Sequence, residues 1–257
     1  MLGKKGPTPR GFDFLARWSQ GAWAESKVIE TVNASSNLLA VHYGPSRGDP
    51  VSYNEFSAWK KFFEEYRLKL EARGKRPDIL VFQKDLLQAT REDLKLIDQL
   101  PDLDEQDSAK FVRLSSAALE VETSLWKARK ALQFGKELSF TLKEEDMDRL
   151  NQWQEAHHKP LFIVQMFYDS AYIIPYSRVK QLISEGLVKK AEKDRKTGKV
   201  TYNVPLSMGS EFALLVEAPL VEPRVLENEK GLVMAYVVFN GGRFELTEQG
   251  LAVLRST

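Results

Sequence analysis

The 257-residue chain contains no cysteine. Disulfides, thiolate nucleophiles and cysteine-based zinc sites are therefore excluded, and the composition fits a reducing cytoplasm. Histidine is nearly as scarce, at three residues, so a metal must be held by oxygen ligands or by those three imidazoles. No apolar run approaches the ~18 residues of a membrane span. The basic stretch Met1 to Arg10 leads into Gly-Phe-Asp-Phe rather than the apolar segment of a secretory signal. A cytoplasmic protein with no membrane partner is expected. An excess of either charge is also missing, with 37 Lys+Arg against 36 Asp+Glu. Taken as a total, that balance argues against nucleic acid as a partner.

The total conceals unlike segments. Residues 85–107 carry eight acids and two bases, whereas residues 108–143 carry seven bases and three acids. From Gly186 to Asn203 there are six cations, Lys189, Lys190, Lys193, Arg195, Lys196 and Lys199, against Glu192 and Asp194. Such a run is ordinarily a solvated hairpin tip, but it also suits a phosphate backbone. A second basic cluster, Lys127, Arg129 and Lys130, offers phosphate clamps of the same kind.

With 43% hydrophobic residues the chain can bury one large core or two modest ones. No internal repeat or low-complexity linker divides it, so a single domain spanning 1–257 is expected. Its parts are N-terminal helices (1–74), a core (75–185), and C-terminal hairpins with a final helix (186–257). Leu15, Trp18, Ala22 and Ile29 have helical spacing. Phe56, Trp59, Phe63, Tyr66 and Leu70 continue it in a second helix behind Asn54, an expected N-cap, and ending near Gly74. That aromatic stripe reads as core or dimer interface. Pro77 to Phe82 then reads as a strand opened by proline. Phe111–Leu114 and Ala117–Val121 read as further strands, and Thr123 to Phe134 as a basic helix or extended insertion. Thr141-x-x-Glu144 predicts a capping box before a helix that stops ahead of Pro160. Leu161 to Tyr168, apolar apart from Gln165, reads as a strand buried on both faces. A short helix over Ser177–Ser184, hairpins with a turn at Asn240-Gly241-Gly242, and a last helix capped by Thr247 complete a mixed α/β fold.

The chemistry concentrates in carboxylates. Residues two apart on a strand share a face, so Glu120 and Glu122 converge, and Asp78 on a neighbouring strand can join them. Three converging carboxylates cannot all stay ionised without a cation, and an all-oxygen site favours Mg²⁺. Such a site suits phosphodiester cleavage: the ion binds the scissile phosphate and acidifies the attacking water. Solvated acids at strand ends would carry the same residues. Glu64 and Glu65, on the second helix, could complete such a site or simply face solvent. Gln165 needs a hydrogen-bond partner if buried, near the site or in the core. His157 and His158 sit where a protonated imidazole suits a helix C-terminus, and His42 reads as a loop or strand-end residue.

Pro77-Asp78 followed by Glu120-Val121-Glu122 resembles the PD-(D/E)xK nuclease core, with glutamate in place of the usual lysine. More specifically, Leu119-Glu-Val-Glu-Thr-Ser, Leu138-Ser-Phe-Thr-Leu-Lys-Glu-Glu-Asp, Ile163-Val-Gln-Met-Phe-Tyr-Asp and Tyr172-Ile-Ile-Pro resemble the AccI family of type II restriction endonucleases. The resemblance implies a restriction-endonuclease-like fold, a mixed central β-sheet flanked by helices with a strand-rich C-terminal part. It implies Mg²⁺-dependent, sequence-specific cleavage of double-stranded DNA by a homodimer, with a cognate DNA methyltransferase in the same system. Asp78 and Glu120 become metal ligands. For the third position, either Glu122 handles the metal or water, or the lysine has moved to Lys143. A catalytically silent DNA-binding protein and a structure-specific repair nuclease are the alternatives.

Overall fold

The computed structural model describes residues 11–35, 37–45, 56–73, 76–85, 95–191, 200–227, 231 and 233–256. Its centre is a mixed seven-stranded sheet. In spatial order the strands are β1 (Leu38–His42), β2 (Ile79–Gln83), β3 (Ala117–Thr123), β5 (Leu161–Met166), β6 (Ser170–Pro175), β9 (Ser210–Glu217) and β12 (Arg243–Leu246). β3 and β5 run parallel, while β3 meets β2 antiparallel. A parallel pair needs a long crossover. Here it comprises the helix α4 (Ala128–Gln133), the strand β4 (Ser139–Lys143) and the helix α5 (Glu144–His157).

Alternating side chains send two apolar sets to opposite faces of the sheet. Ile79, Val81, Leu119, Val121, Phe162 and Val164 pack under the long helix α1 (Gly11–Asn33) and α7 (Glu248–Arg255). Leu80, Phe82, Ala118 and Ile163 pack against Phe140, Met147, Leu150 and Trp153 of β4 and α5. Also on that face are α3 (Glu105–Leu114) and α6 (Tyr176–Ser184). Each such buried side chain contributes about 1.5–3 kcal/mol, and their alternation fixes which face every polar neighbour takes. α7 lies close on β9: a Cβ at Gly250 would come within 2.4 Å of the Phe212 carbonyl oxygen, so glycine is required.

Two smaller sheets flank this core. β4 pairs with β8 (Thr201–Pro205), which pairs with β7 (Lys189–Lys190). The hairpin of β10 (Leu220–Glu227) and β11 (Val233–Asn240) sends Leu226, Tyr236 and Val238 against Trp18 of α1 and Trp59 and Phe63 of α2 (Phe56–Arg73). Trp59 and Phe63 are thus core residues, as the stripe implies. Asn54, the expected cap of α2, lies outside the described residues.

Several expectations change. Phe111–Leu114 is the end of helix α3, not a strand. Ser108, Phe111 and Val112 form a helical buried face, and the Asp104 carboxylate caps the helix by accepting from Asp107 N. Thr141 is no cap, because it lies within β4, and α5 begins at Glu144 directly after the strand, with Lys143 at the N-cap making no side-chain cap bond. β1 was not anticipated from the sequence. The expected strand over Leu161–Tyr168 is shorter, ending at Met166. α5 does end at His157, ahead of Pro160, and Thr247 does cap α7, accepting from Gly250 N at 2.9 Å.

Candidate active site

β2 enters the sheet from the edge where β3 leaves it. The last registered pair is Ile79 with Leu119, so one step further sets Asp78 opposite Glu120. Beyond that point the strands part. The Asp78 main-chain oxygen accepts from Tyr43 N at 2.8 Å and Gly44 N at 3.2 Å, binding it to the segment after β1. The Val121 N–H is taken by Asp78 Oδ2, at 2.8 Å. That bond fixes one carboxylate oxygen in the plane of the sheet beside Glu120. Gly44 makes the approach possible, because a Cβ there would lie 3.2 Å from both Asp78 Cα and the Pro77 oxygen.

Glu120 is 3% exposed, on an interior strand, and shares the α5 face with Ala118. Glu122, two residues on, takes the same face and is half-buried. Beside it on the parallel strand stands Gln165, its register partner. Gln165 is fully buried; its Oε1 accepts from Thr141 N at 3.0 Å, tying β4 to the main sheet. Its Nε2 has no hydrogen-bond partner among the described residues. A buried amide donor ordinarily has a partner, so the open Nε2 singles out Gln165 on this face.

Lys143 ends β4, two residues beyond Thr141 and on the same side of the strand. Its ammonium lies 3.5 Å from Asp146 Oδ2 in the first turn of α5.

Glu25 of α1 is absent from the sequence-based site. It is 4% exposed, and its Oε2 lies 3.9 Å from His42 Nδ1 at the end of β1. Burial pushes the His42 pKa down, opposed by the nearby Asp78 charge. Glu25, His42 and Asp78 therefore sit in one neighbourhood at the sheet end. The signal was available: Glu25 fills the gap in the stripe Leu15, Trp18, Ala22, Ile29, a buried helix position occupied by an acid. Glu64 and Glu65 are exposed on α2, which packs on α1 and the β10–β11 hairpin.

Among the described residues no group of three or more His, Asp or Glu side chains is gathered so as to hold a metal. Asp78, Glu120 and Glu122 thus do not form a closed three-ligand cage. Mg²⁺ does not require one: it keeps several waters and uses one or two carboxylates together with substrate phosphate. The opposed Asp78 and Glu120, one oriented by a main-chain N–H and the other buried, fit that requirement.

The basic residues divide. Lys127, Arg129 and Lys130 are exposed at α4, whose start is held by Asp169, accepting from Ala128 N at 2.7 Å and Arg129 N at 3.2 Å. Lys190 Nζ lies 2.8 Å from Glu144 Oε1, which also accepts from the Tyr202 hydroxyl at 3.1 Å. These two contacts hold the Glu144 carboxyl below the usual range. Lys193, Arg195, Lys196 and Lys199 lie outside the described residues, as does the side chain of Lys189. His157, the last residue of α5, departs from expectation, since burial drives its pKa down, away from the protonated form. His158 is the left-handed C-cap of α5, at φ 52°.

Acids from two adjacent strands are thus set opposite each other at one end of a mixed sheet flanked by helices. The chain belongs to the AccI restriction endonuclease family, whose sequence model matches residues 3–127 and 123–255. Among solved structures, D212, a nuclease from a fusselovirus, is similar at 9% identity and a TM-score of 0.31, covering 75% of this chain and 78% of that one. No curated protein matches. Among the described residues no helix is long and apolar enough to cross a membrane.

Proposed function

We propose that the protein is a type II restriction endonuclease that hydrolyses phosphodiester bonds in double-stranded DNA at a specific sequence, with Mg²⁺ as cofactor. The observation that carries the reading is the opposition of Asp78 and Glu120 across β2 and β3 in a chain of this family. On this reading residues 75–185 form the catalytic core, 1–74 support it, and 186–257 supply DNA-contact elements.

Asp78 and Glu120 hold the ion. An ion held there would supply charge neutralisation at the scissile phosphate and a more acidic attacking water. The Val121 N–H keeps Asp78 oriented, so little side-chain entropy is lost on binding. Glu122, half-buried and nearer the rim, orients the water and takes its proton. Lys143 leaves Asp146 to offset phosphate charge. Lys127, Arg129, Lys130 and the cations of the β7–β8 hairpin clamp the backbone, which positions the duplex without reading it. A homodimer on a palindromic site follows from cleavage of both strands, in the cytoplasm beside a DNA methyltransferase that protects the host's sites.

Purified protein incubated with plasmid or phage DNA and Mg²⁺ should give discrete fragments, and Glu120→Ala should give none. DNA left intact across metals and salt concentrations refutes the enzyme. Cutting confined to branched DNA, with no fixed site on linear duplex, would identify a repair nuclease instead.

A further inference from the structure

The segment after β3 exposes an unusual amount of apolar surface. Leu125 is 63% exposed, Trp126 48%, Leu132 42% and Phe134 81%. Single exposed apolar residues need no explanation, but a cluster does. The segment folds back on itself: Lys136 Nζ stands 3.6 Å from the Trp126 ring centroid, bringing its two ends together. Lys127, Arg129 and Lys130 are interleaved with the apolar side chains, and no acid occurs from Leu125 to Lys136.

The backbone beneath this surface is firmly held. Besides the Asp169 cap on α4, the Trp126 oxygen accepts from Tyr168 N at 3.1 Å, and the Ser124 oxygen from Gln20 Nε2 at 2.9 Å. Gly135, at φ 71°, closes the turn beyond Phe134, and its N–H bonds the Leu132 oxygen at 2.9 Å. The apolar groups are thus presented on a preorganised support, which lowers the entropic cost of docking. A second copy of the chain is a poor occupant, because a two-fold contact would set the same four cations against each other. Duplex DNA offers both complements, phosphates for the cations and a base stack for the apolar groups.

We infer that Leu125–Lys136 docks on duplex DNA and inserts Phe134 as a wedge into a base step, with Trp126 buttressed by Lys136 beside it. The inference rests on the nuclease reading and deepens it: the protein deforms the DNA that it cuts. Apolar wedges of this kind unstack and kink a duplex. The surface begins two residues after β3 ends, on the crossover that leads from the strand of Glu120 and Glu122 to β4.

The test uses the full chain carrying Glu120→Gln, with Ca²⁺ and a mixture of plasmid duplex fragments, across a salt series. Adding Phe134→Ala should weaken binding about tenfold with no change in the salt slope. Adding Lys127→Ala instead should reduce that slope by about 1. Bound to a nicked plasmid that is then sealed by ligase, the Glu120→Gln protein should change the linking number, and the added Phe134→Ala should abolish the change. Equal affinity and an equal linking-number change with Phe134→Ala overturn the wedge while leaving the nuclease reading intact. A shift from dimer to monomer in sedimentation, with DNA affinity unaltered, overturns it in favour of a contact between copies. Wild-type protein that binds no duplex in Ca²⁺ overturns both readings.

Discussion

Neutralising one of the two opposed carboxylates should stabilise the metal-free protein. Side chains directly opposite on antiparallel strands have Cβ atoms about 5 Å apart. Carboxylates at a comparable or somewhat larger separation, in an effective dielectric of about 20, repel by at most about 3 kcal/mol. Asp78 is half-buried and partly screened, so the gain expected from Glu120→Gln is about 1–3 kcal/mol. Glutamine keeps the shape, and Asp78 keeps its bond from Val121 N. At roughly 2–4 °C per kcal/mol for a chain of this size, Tm in EDTA should rise by about 2–12 °C. Mg²⁺ should reverse the order. An ion bound only by the folded state adds about 2.7 kcal/mol at a hundred times its Kd, and the variant should lose most of that increment. Thermal melts by circular dichroism, in EDTA and across a Mg²⁺ titration, measure both effects. A variant that melts below the wild type in EDTA and still responds fully to Mg²⁺ would show that Glu120 does not face Asp78 as a charge, and would refute the argument.

Two further outcomes can be measured on the same protein. Gln165→Met removes the acceptor of the Thr141 N–H and should cost about 1–3 kcal/mol; an unchanged Tm would mean that β4 is not anchored through this amide. Burial depresses the pKa of both His42 and His157, so each contributes stability that is complete above the unfolded value near 6.5 and is lost as pH falls through the folded one. Tm should therefore decline from pH 7 to pH 5, and His157→Gln should flatten the decline; an equally steep profile in the variant would remove His157 as a source.

The parts of the fold with strong periodicity were legible. β2, β3 and β5 were found because buried strands are short continuous apolar runs, and Asp78 and Glu120 stood out as acids ending two of them. The stretch Phe111–Leu114 was misread because four apolar-rich residues show no period on their own; the helix is evident only with Ser108 and the Asp104 cap included. Thr141 and Glu144 had capping spacing, but pairing with β8 claimed Thr141 for a strand. Glu25 was missed for a different reason. Its significance depends on His42, and α1 and β1 are brought together only by packing on the sheet. Gln165 was noticed as the polar residue in an apolar run, while its bond to β4 depended on a crossover that spacing does not reveal.

The hydrogen bond from Val121 N to Asp78 joins residues 43 positions apart, and it sets how the gene could tolerate change. The connection between β2 and β3 carries the packed helix α3, but the entropy of closing that connection grows only slowly with its length. One residue inserted within Ala117–Leu119 is another matter. It would turn Glu120 and Glu122 towards α1 and bring apolar side chains opposite Asp78, leaving a chain of nearly unchanged composition with its acids on the wrong side.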